Sequence, residues 1–342
     1  MKNTTNLKIY SEFDEYLLNE WQKLFELLKA SYNLNPEWCS IWFKHFGDKS
    51  KKLFIYTLWE DDELKLLAPF YLKDKVLHLI GSKPDFYDEF NILSTSVQYT
   101  EEVVNDILDK KLKVDFIHVN AESDFIKFFL RKIENNNKFS KKIYYSTLKP
   151  QADSDFKFEK SFAYRIKRKI TSSNNKFNQK LNFEFEASKD SGFFEEMLFW
   201  HKKKWTLFQS KEKELFIKDI YYNTDLLLVS RLSHENSESS ISFQLSYKYF
   251  DRISIMASTF DPSFEIISPS LLIHYHFFNE AFEKGYNLID FGVGAYSYKY
   301  NFMNSESINL SIKTDTPFLK KYDFIYVALK DLKSQLAEIA IK

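Results

Sequence analysis

The stretch from Asp261 to Phe302 constrains the fold most, because it specifies a turn, a helix, a strand and a glycine loop in immediate succession. Ser268 followed by Pro269 is typical of a helix N-cap with proline at the first helical position. Gly285 predicts the end of that helix. Steps of four, three and four place one apolar face on it, formed by Leu271, Tyr275, Phe278 and Phe282.

A short apolar run, 287–291, follows this helix and predicts a strand. Gly292 and Gly294 come next, and two of the chain's six glycines within three residues indicate a backbone that needs unusual freedom. Asp290 stands where the strand meets this loop, so we expect its carboxylate to reach a cleft.

Composition limits the classes of function. With 342 residues, 44% of them hydrophobic, the chain is long enough for two domains and a substantial core. The 48 basic and 48 acidic residues balance, so no net field draws the protein to nucleic acid or to an anionic membrane, although local basic clusters could. Cys39 is the only cysteine, and no apolar run approaches the roughly 18 residues of a membrane span. We expect a soluble cytoplasmic protein.

Each half of the chain has the same order of elements: helices, a hairpin, a helix and a strand. This order predicts a mixed α/β fold of two tandem units, each a mixed sheet flanked by helices. Pro150 and the polar residues 151–155 mark the boundary, giving domains 1–150 and 151–342. The elements expected are helices over 15–29, 36–46, 122–134, 161–170, about 193–205, 269–284 and from about 318, and strands over 53–59, 64–72, 76–80, 114–119, 143–148, 181–186, 226–232, 241–249, 253–258, 287–291 and 308–312.

Several residues could carry chemistry. The start of the helix at Ser268 offers unpaired N–H groups and a partial positive charge, which suit a phosphate, although an ordinary capped helix explains it too. Asp290 could accept a proton from a nucleophile or could brace the glycine loop by a hydrogen bond. Lys299 with Tyr298 could contact a phosphate or carboxylate, or Lys299 could be a solvated surface residue.

Two further pairs lie in the second half. Arg165 and Arg168 are three residues apart and share one helix face, where planar guanidinium groups suit phosphate or carboxylate, or simply face solvent. His201 and Trp205 are four apart and predict neighbours on a helix. His201 could serve as a general base, or it could be a packed ring.

The order and spacing of motifs from Ser161 to Phe302 resemble the CelD/BcsL (BioF2-like) acetyltransferases, a GNAT branch related to the FemAB peptidyl transferases. The matching residues are Asp261-Pro262, Ser268-Pro269-Ser270, Asp290-Phe291, Gly294 and Tyr298-Lys299. Ser270 stands where the family usually has glycine.

The resemblance implies two GNAT-like domains, the first degenerate and the second with an acyl-CoA site. It places the acyl-CoA diphosphate at the helix start formed by Ser268, Pro269, Ser270 and Leu271. It assigns the proton transfer to Asp290 or His201, with Lys299 beside them. It also gives substrate contacts to Arg165, Arg168, Trp205, Tyr298 and the first-domain loop residues Asp85, Tyr87 and Asp88.

The function implied is transfer of an acyl group from acetyl-CoA or another acyl-CoA to an amine or hydroxyl of a small molecule or glycan precursor, as in surface polysaccharide biosynthesis. The alternatives are a FemAB-like transferase that uses aminoacyl-tRNA and a non-catalytic GNAT-fold protein that binds a glycan or a partner. No sequence pattern for a metal site, an ATP-binding loop or a hydrolase elbow is present, so no metal is expected.

Overall fold

The computed structural model describes residues 5–82, 89–134, 142–189, 192–205, 208–237, 239–294 and 296–314. Its helices are α1 (Glu15–Leu28), α2 (Pro36–Phe46), α3 (Val97–Asp109), α4 (Asp124–Glu134), α5 (Lys160–Phe177), α6 (Phe193–Lys204), α7 (Lys211–Asn223) and α8 (Pro269–Glu283). Its strands are β1 (Thr5–Tyr10), β2 (Lys51–Glu60), β3 (Glu63–Lys73), β4 (Val76–Leu79), β5 (Leu93–Ser94), β6 (Lys113–Asn120), β7 (Lys142–Asp153), β8 (Leu181–Glu184), β9 (Leu227–His234), β10 (Ser240–Tyr249), β11 (Arg252–Phe260), β12 (Leu288–Asp290) and β13 (Ser305–Thr314).

Local capping explains why the predicted helices form where they do. At the start of α2, the Asn35 side chain accepts a hydrogen bond from the Trp38 amide at 3.0 Å, and Pro36 occupies the first helical position. Gly285, with φ of 88°, follows the last turn of α8. Both boundaries confirm the sequence prediction.

The thirteen strands of the described part join into one sheet. Its order is β1-β2-β3-β4-β6-β13-β7-β12-β11-β10-β9-β8, with β5 beside β3. The two ends of this order mirror each other: β4 pairs in parallel with β6 as β11 does with β12, and the neighbouring pairs are antiparallel. The mixed α/β fold built from two similar halves is therefore confirmed.

The last strand of each half lies in the other half. β13 pairs with β6 of the first half, β7 pairs with β12 of the second, and β13 and β7 pair with each other at the centre. Pro150 consequently lies inside β7 rather than in a linker. The division into domains 1–150 and 151–342 stays a prediction.

Two apolar cores hold the helices to the sheet. The first spans both halves; Tyr32, just before α2, stacks on Tyr247 of β10 with ring centroids 3.8 Å apart. The second lies under α5 and α8, where Phe278 of α8 packs on Phe291 and Phe302. This second core fixes the start of α8 against the sheet.

The sequence reading was wrong at several places. It did not predict β1 or α7, and α5 continues to Phe177, beyond the expected end at residue 170. The apolar face of α8 is also displaced: Leu271, Tyr275 and Phe282 are only half-buried, whereas the residues fully packed inside include Leu272, Ile273, His274, Phe277, Phe278 and Ala281. The helix expected from residue 318 lies outside the described residues.

None of the helices in the described ranges combines the length and the apolar character needed to cross a membrane.

Candidate functional site

The sheet opens in the second half between β11 and β12. The parallel pairing of these strands runs only from Arg252 opposite Leu288 to Ser254 opposite Asp290. β11 continues to Phe260, so from Ile255 onward the edge that faces away from β10 pairs with no strand in the described residues. A β-bulge also interrupts its pairing with β10, because Leu245 pairs with Ala257 and the next residue pairs with Ile255. Bulges re-aim backbone groups next to functional sites.

The opening leads into a cavity of about 650 Å³ at the start of α8. Its walls come from β11, α8, the end of α6 and the loop before β13. The lining residues are Trp205, Ser258, Phe260, Glu265, Ser268, Pro269, Ser270, Leu271, His274, Tyr296 and Tyr298. All four residues predicted to receive the diphosphate line this cavity, and so do Trp205 and Tyr298.

The start of α8 is not closed by its own cap. Ser268 adopts a left-handed conformation, with φ of 58°, and its side chain caps no amide of the helix. Its Oγ instead accepts a hydrogen bond from the Lys169 ammonium at 2.9 Å. Ser270 is the second residue of the helix, where an amide has no carbonyl partner within the helix. The helix dipole, this amide and the lysine charge together suit an anion.

His274 lies one turn further along α8 and lines the same cavity. It is buried, and its Nδ1 lies 2.6 Å from Oε1 of Gln244 on β10. Its ring is nearly parallel to that of Tyr298, with centroids 6.0 Å apart. Burial and the nearby charge of Lys299 lower the pKa of His274 to about 4, so the imidazole is neutral near pH 7.

Asp290 is buried at the end of β12, and its Oδ1 accepts a hydrogen bond from the Gly292 amide at 2.8 Å. The alternative role of bracing the glycine loop is therefore confirmed. Asp290 is not among the residues that line the cavity. Its role as proton acceptor stays a prediction.

Lys299 is not a surface residue. It is buried, and its Nζ donates to the carbonyl oxygens of Phe291, Gly292 and Val293 at 2.8, 3.1 and 3.1 Å. The reading of Lys299 as a solvated side chain was wrong. The ammonium group binds the loop that follows β12 and thereby positions Tyr298 and the other residues beside it.

Gly294 lies at the turn of this loop, with φ of 95°. A Cβ atom at this position would come within 2.9 Å of the Tyr296 ring, so the turn requires glycine.

His201 and Trp205 do not share a helix face. α6 ends at Lys204, and Trp205 adopts an extended conformation that takes its ring, 48% exposed, to the cavity. His201 is buried beside Phe208, and its Nδ1 has no hydrogen-bond partner among the residues that the structure describes. Burial lowers the pKa of His201 to about 4. The structure thus brings Trp205 to the cavity and leaves His201, predicted as a base, in the core.

Arg165 and Arg168 are exposed on one face of α5, as predicted, and neither lines the cavity. Each guanidinium lies over an aromatic ring of its own helix, Phe162 at 5.6 Å and Tyr164 at 6.0 Å. The α5 residue that reaches the start of α8 is Lys169. The two arginines extend the positive charge of Lys169 outward along the helix.

Tyr298 and Tyr296 stand at the mouth of the cavity with nearly parallel rings, 6.4 Å apart. Desolvation raises the pKa of Tyr298 to about 12, so its hydroxyl keeps its proton and can donate a hydrogen bond. Asp85, Tyr87 and Asp88 lie outside the described residues.

A groove of about 790 Å³ lies at the other end of α8, near Glu280 and Lys284. Charged side chains of both signs line it, and it meets neither the start of α8 nor the opening of the sheet. Within the described ranges, no three His, Cys, Asp or Glu side chains are grouped so that they could hold a metal ion.

Sequence reasoning missed Lys169, His274 and Gln244. Lys169 carried a signal, because it is adjacent to Arg168 in a helix rich in basic residues. His274 and Gln244 carried none, since the hydrogen bond between them joins residues 30 positions apart.

Comparison with known proteins agrees with this geometry. Residues 161–300 match a family model described as an acetyltransferase (GNAT) domain. A search of curated protein sequences found no match.

Solved structures resemble the whole chain. The structure of L-PGS from Bacillus licheniformis has a TM-score of 0.57 and 12% identity, over 91% of this chain and 95% of that one. FemX has a TM-score of 0.58 and 10% identity, over 91% of this chain and 97% of that one. The C-terminal domain of a putative lysylphosphatidylglycerol synthetase from Agrobacterium fabrum has a TM-score of 0.55 and 9% identity, over 92% of this chain and 95% of that one. At these identities the likeness shows the fold.

The narrower CelD/BcsL assignment stays a prediction. Residues 161–300 are similar to acetyltransferase domains of the GNAT type, and the fold over 91% of the chain is similar to those of FemX and L-PGS.

Proposed function

We propose that the protein transfers an acyl group from acyl-CoA to an amine or hydroxyl group of a small molecule or glycan precursor. The observation that carries the proposal is a cavity in which the uncapped start of α8 meets the unpaired edge of β11, with the Lys169 ammonium bound to Ser268 at the cavity wall.

Each part of the carrier has a counterpart in this cavity. The diphosphate of CoA suits the Ser270 amide and Lys169 at the positive end of α8. Arg165 and Arg168 suit further phosphate charge outside it. The amide groups of the pantetheine arm suit the open edge of β11, where backbone N–H and C=O groups face no neighbouring strand.

The reacting carbonyl then lies near the bulge between β10 and β11. A backbone N–H turned out of the ladder at this bulge would stabilise the negative charge that develops on the thioester oxygen. The aromatic rings of Trp205, Tyr296 and Tyr298 leave a largely apolar mouth for the acceptor. A glycan precursor suits them, because sugar rings pack their C–H faces on aromatic rings.

A second donor, aminoacyl-tRNA, is favoured by one observation. α5 carries six basic residues and no acidic one, although the whole chain is neutral. These residues are Lys160, Arg165, Lys167, Arg168, Lys169 and Lys176. A nucleic-acid backbone would bind this helix with a strong dependence on salt.

The test is binding of acetyl-CoA, measured by calorimetry and by the shift of the unfolding temperature. Lys169→Ala should weaken binding about 5- to 10-fold, because a charge-assisted contact worth about 1 kcal/mol is lost. Lys167→Ala is the matched control, since Lys167 is an exposed lysine two positions away on the same helix.

Absence of acetyl-CoA binding at millimolar concentration contradicts the first donor. A gel shift of tRNA favours the second donor if the binding weakens with added salt and is weakened by both Lys169→Ala and Lys167→Ala, since both lysines belong to the basic helix α5. The cytoplasmic location and the role in surface polysaccharide synthesis remain predictions from the sequence. Loss of an acylated sugar from the cell surface when the gene is deleted would support the role in polysaccharide synthesis.

A further inference from the structure

His274 is the described histidine that lines the cavity at the start of α8. The structure holds its ring from three sides. Gln244 lies 2.6 Å from Nδ1, Tyr298 is parallel to one face, and the Phe302 ring meets it edge-on with centroids 5.6 Å apart. A ring packed in this way has one orientation, so the atom that it presents to the cavity is defined.

The orientation of the Gln244 amide in the structure indicates which nitrogen of His274 carries the proton. Nε2 of Gln244 donates to Oγ of Ser246 at 3.2 Å, and Oε1 faces the histidine. In this orientation the carbonyl oxygen accepts and Nδ1 of His274 donates. All three side chains are buried. This arrangement places the proton on Nδ1 and leaves the lone pair on Nε2.

The surroundings also keep this imidazole neutral. Burial and the positive charge of Lys299 lower the pKa of His274 to about 4. The neutral Nδ1–H form has its Nε2 lone pair available at pH 7, and the strongly acidic imidazolium returns the proton readily to the leaving thiolate.

We propose that His274 is a catalytic residue that accepts, at Nε2, the proton of the attacking amine or hydroxyl group, with Gln244 and Ser246 as positioning residues that fix its tautomer. This proposal rests on the proposed acyl-CoA function. It assigns the proton transfer to His274 rather than to Asp290 or His201.

The step balances without a further reactant. The lone pair of the acceptor nitrogen or oxygen forms a bond to the acyl carbon, and the C=O electron pair moves to oxygen. The proton of the nucleophile passes to Nε2 of His274. The tetrahedral intermediate then collapses, the C–S bond breaks with its electrons on sulfur, and the thiolate takes the proton back from His274 to leave as the CoA thiol.

Two observations support this choice of base. Oδ1 of Asp290 already accepts from the Gly292 amide, and Asp290 is not among the cavity residues. His201 lies in the first core beside Phe208 and also does not line the cavity.

The experiment compares His274→Gln with His276→Gln. His276 is on the same helix two residues away and does not line the cavity, so its replacement controls for effects on α8. Acetyl-CoA binding is measured by calorimetry. Release of the CoA thiol is measured with water and with a panel of amino sugars, amino acids and alcohols as acceptors.

We expect His274→Gln to bind acetyl-CoA within about twofold of the wild type and to lose about 100-fold or more of thiol release, the contribution typical of a general base. His276→Gln should keep both. Thiol release that survives in His274→Gln overturns the proposal while leaving the donor site intact. A wild type that binds acetyl-CoA but releases thiol with none of these acceptors also overturns it. Failure of the wild type to bind acetyl-CoA overturns the proposed function and this proposal together.

A spectroscopic measurement keeps the proposal testable even if His274→Gln does not fold. Long-range ¹H–¹⁵N correlation of the ¹⁵N-histidine-labelled protein at pH 7 should show His274 as the Nδ1–H tautomer. Gln244→Leu should shift it to a mixture with the Nε2–H form and reduce thiol release. A wild-type His274 with its proton on Nε2 contradicts the assignment.

Discussion

The helices α3 and α8 occupy equivalent places in the two halves, and their first turns differ. At α3, Ser96 accepts from the Gln98 amide at 3.2 Å and donates to the Gln98 side chain at 2.7 Å, so the helix start is closed by its own residues. The cavity in front of it is about 200 Å³. At α8, Ser268 caps nothing, and the cavity is about 650 Å³.

If the proposed anion site is at the start of α8, this difference explains how one fold keeps a site in one copy and closes it in the other. At a capped helix start, the side chain of the cap accepts a hydrogen bond from a backbone amide, so fewer amides remain to bind an anion. An uncapped one, held in a left-handed conformation that costs about 1 kcal/mol or more, becomes favourable when a ligand binds there. The degeneracy of the first half stays a prediction.

The largest expected difference between the two halves is in their stability at low pH. His201 and His274 both belong to the second half, and the pKa of each is about 4 in the folded protein against 6.5 for an ordinary histidine. Between these values the unfolded chain binds more protons, so the free energy of unfolding falls as pH drops from about 6.5 to 4. Each histidine contributes up to about 3 kcal/mol. Hydrogen exchange at pH 7 and pH 5 should show α6, α8 and β10 losing protection before β2 and β3.

The variant His201→Phe should remove part of this acid sensitivity and keep thiol release, because the ring packs in the core and its Nδ1 forms no hydrogen bond among the described residues. Loss of thiol release in a folded His201→Phe protein would restore His201 as the base. Equal loss of protection in both halves at pH 5 would contradict the assignment of the acid-sensitive groups to the second half.

The loop after β12 should depend on its lysine, whereas the corresponding loop after β6 does not use one. There, Asn120 Oδ1 accepts from the Glu122 amide at 2.8 Å and its carbonyl accepts from Ser123 Oγ at 2.8 Å. Lys299→Met leaves three buried carbonyl groups without this donor and should lower the free energy of unfolding by about 3 kcal/mol in urea titration. Lys284→Met, which loses a partly exposed pair with Glu280 and a contact 5.5 Å from the centroid of the Phe185 ring, should cost less than about 1 kcal/mol. Similar losses in the two variants would show that Lys299 does not hold the loop.

The smallest effect tests the two caps directly. Ser96→Ala should destabilise the protein by about 1 kcal/mol, the usual cost of losing an N-cap. Ser268→Ala removes no cap and should cost only a few tenths of that in urea titration, but it should weaken acetyl-CoA binding through Lys169. If Ser268→Ala is the more destabilising change, the start of α8 is a structural cap and the comparison fails.

Much of this architecture could be predicted from the sequence, because α2, α8 and the two hairpins carry local signals. Asn35 and Pro36 begin one helix, and Gly285 ends another. The residues expected to receive the diphosphate at the start of α8 do line the cavity. They could be predicted because a helix start is specified by residues that are adjacent in the sequence.

What could not be predicted depends on contacts between distant residues. The bond from His274 to Gln244 and the contact from Lys169 to Ser268 join elements that only the folded sheet brings together. The burial of Lys299 follows from three carbonyl groups turned inward by a loop whose conformation no periodicity encodes. The apolar face of α8 was misplaced because other elements cover this helix on most sides, whereas the periodicity of apolar residues locates a core face only when the opposite face is exposed to solvent.

The crossed pairing of β7 and β13 has a practical consequence for anyone isolating the second half of the chain. A fragment limited to residues 161–300 would omit both strands, so β12 would end the sheet with an open row of N–H and C=O groups. Such a piece would recruit a strand from another copy or aggregate. The segment matched by the family model is therefore shorter than the smallest piece expected to fold. Expression should begin upstream of Lys142 and continue beyond Thr314.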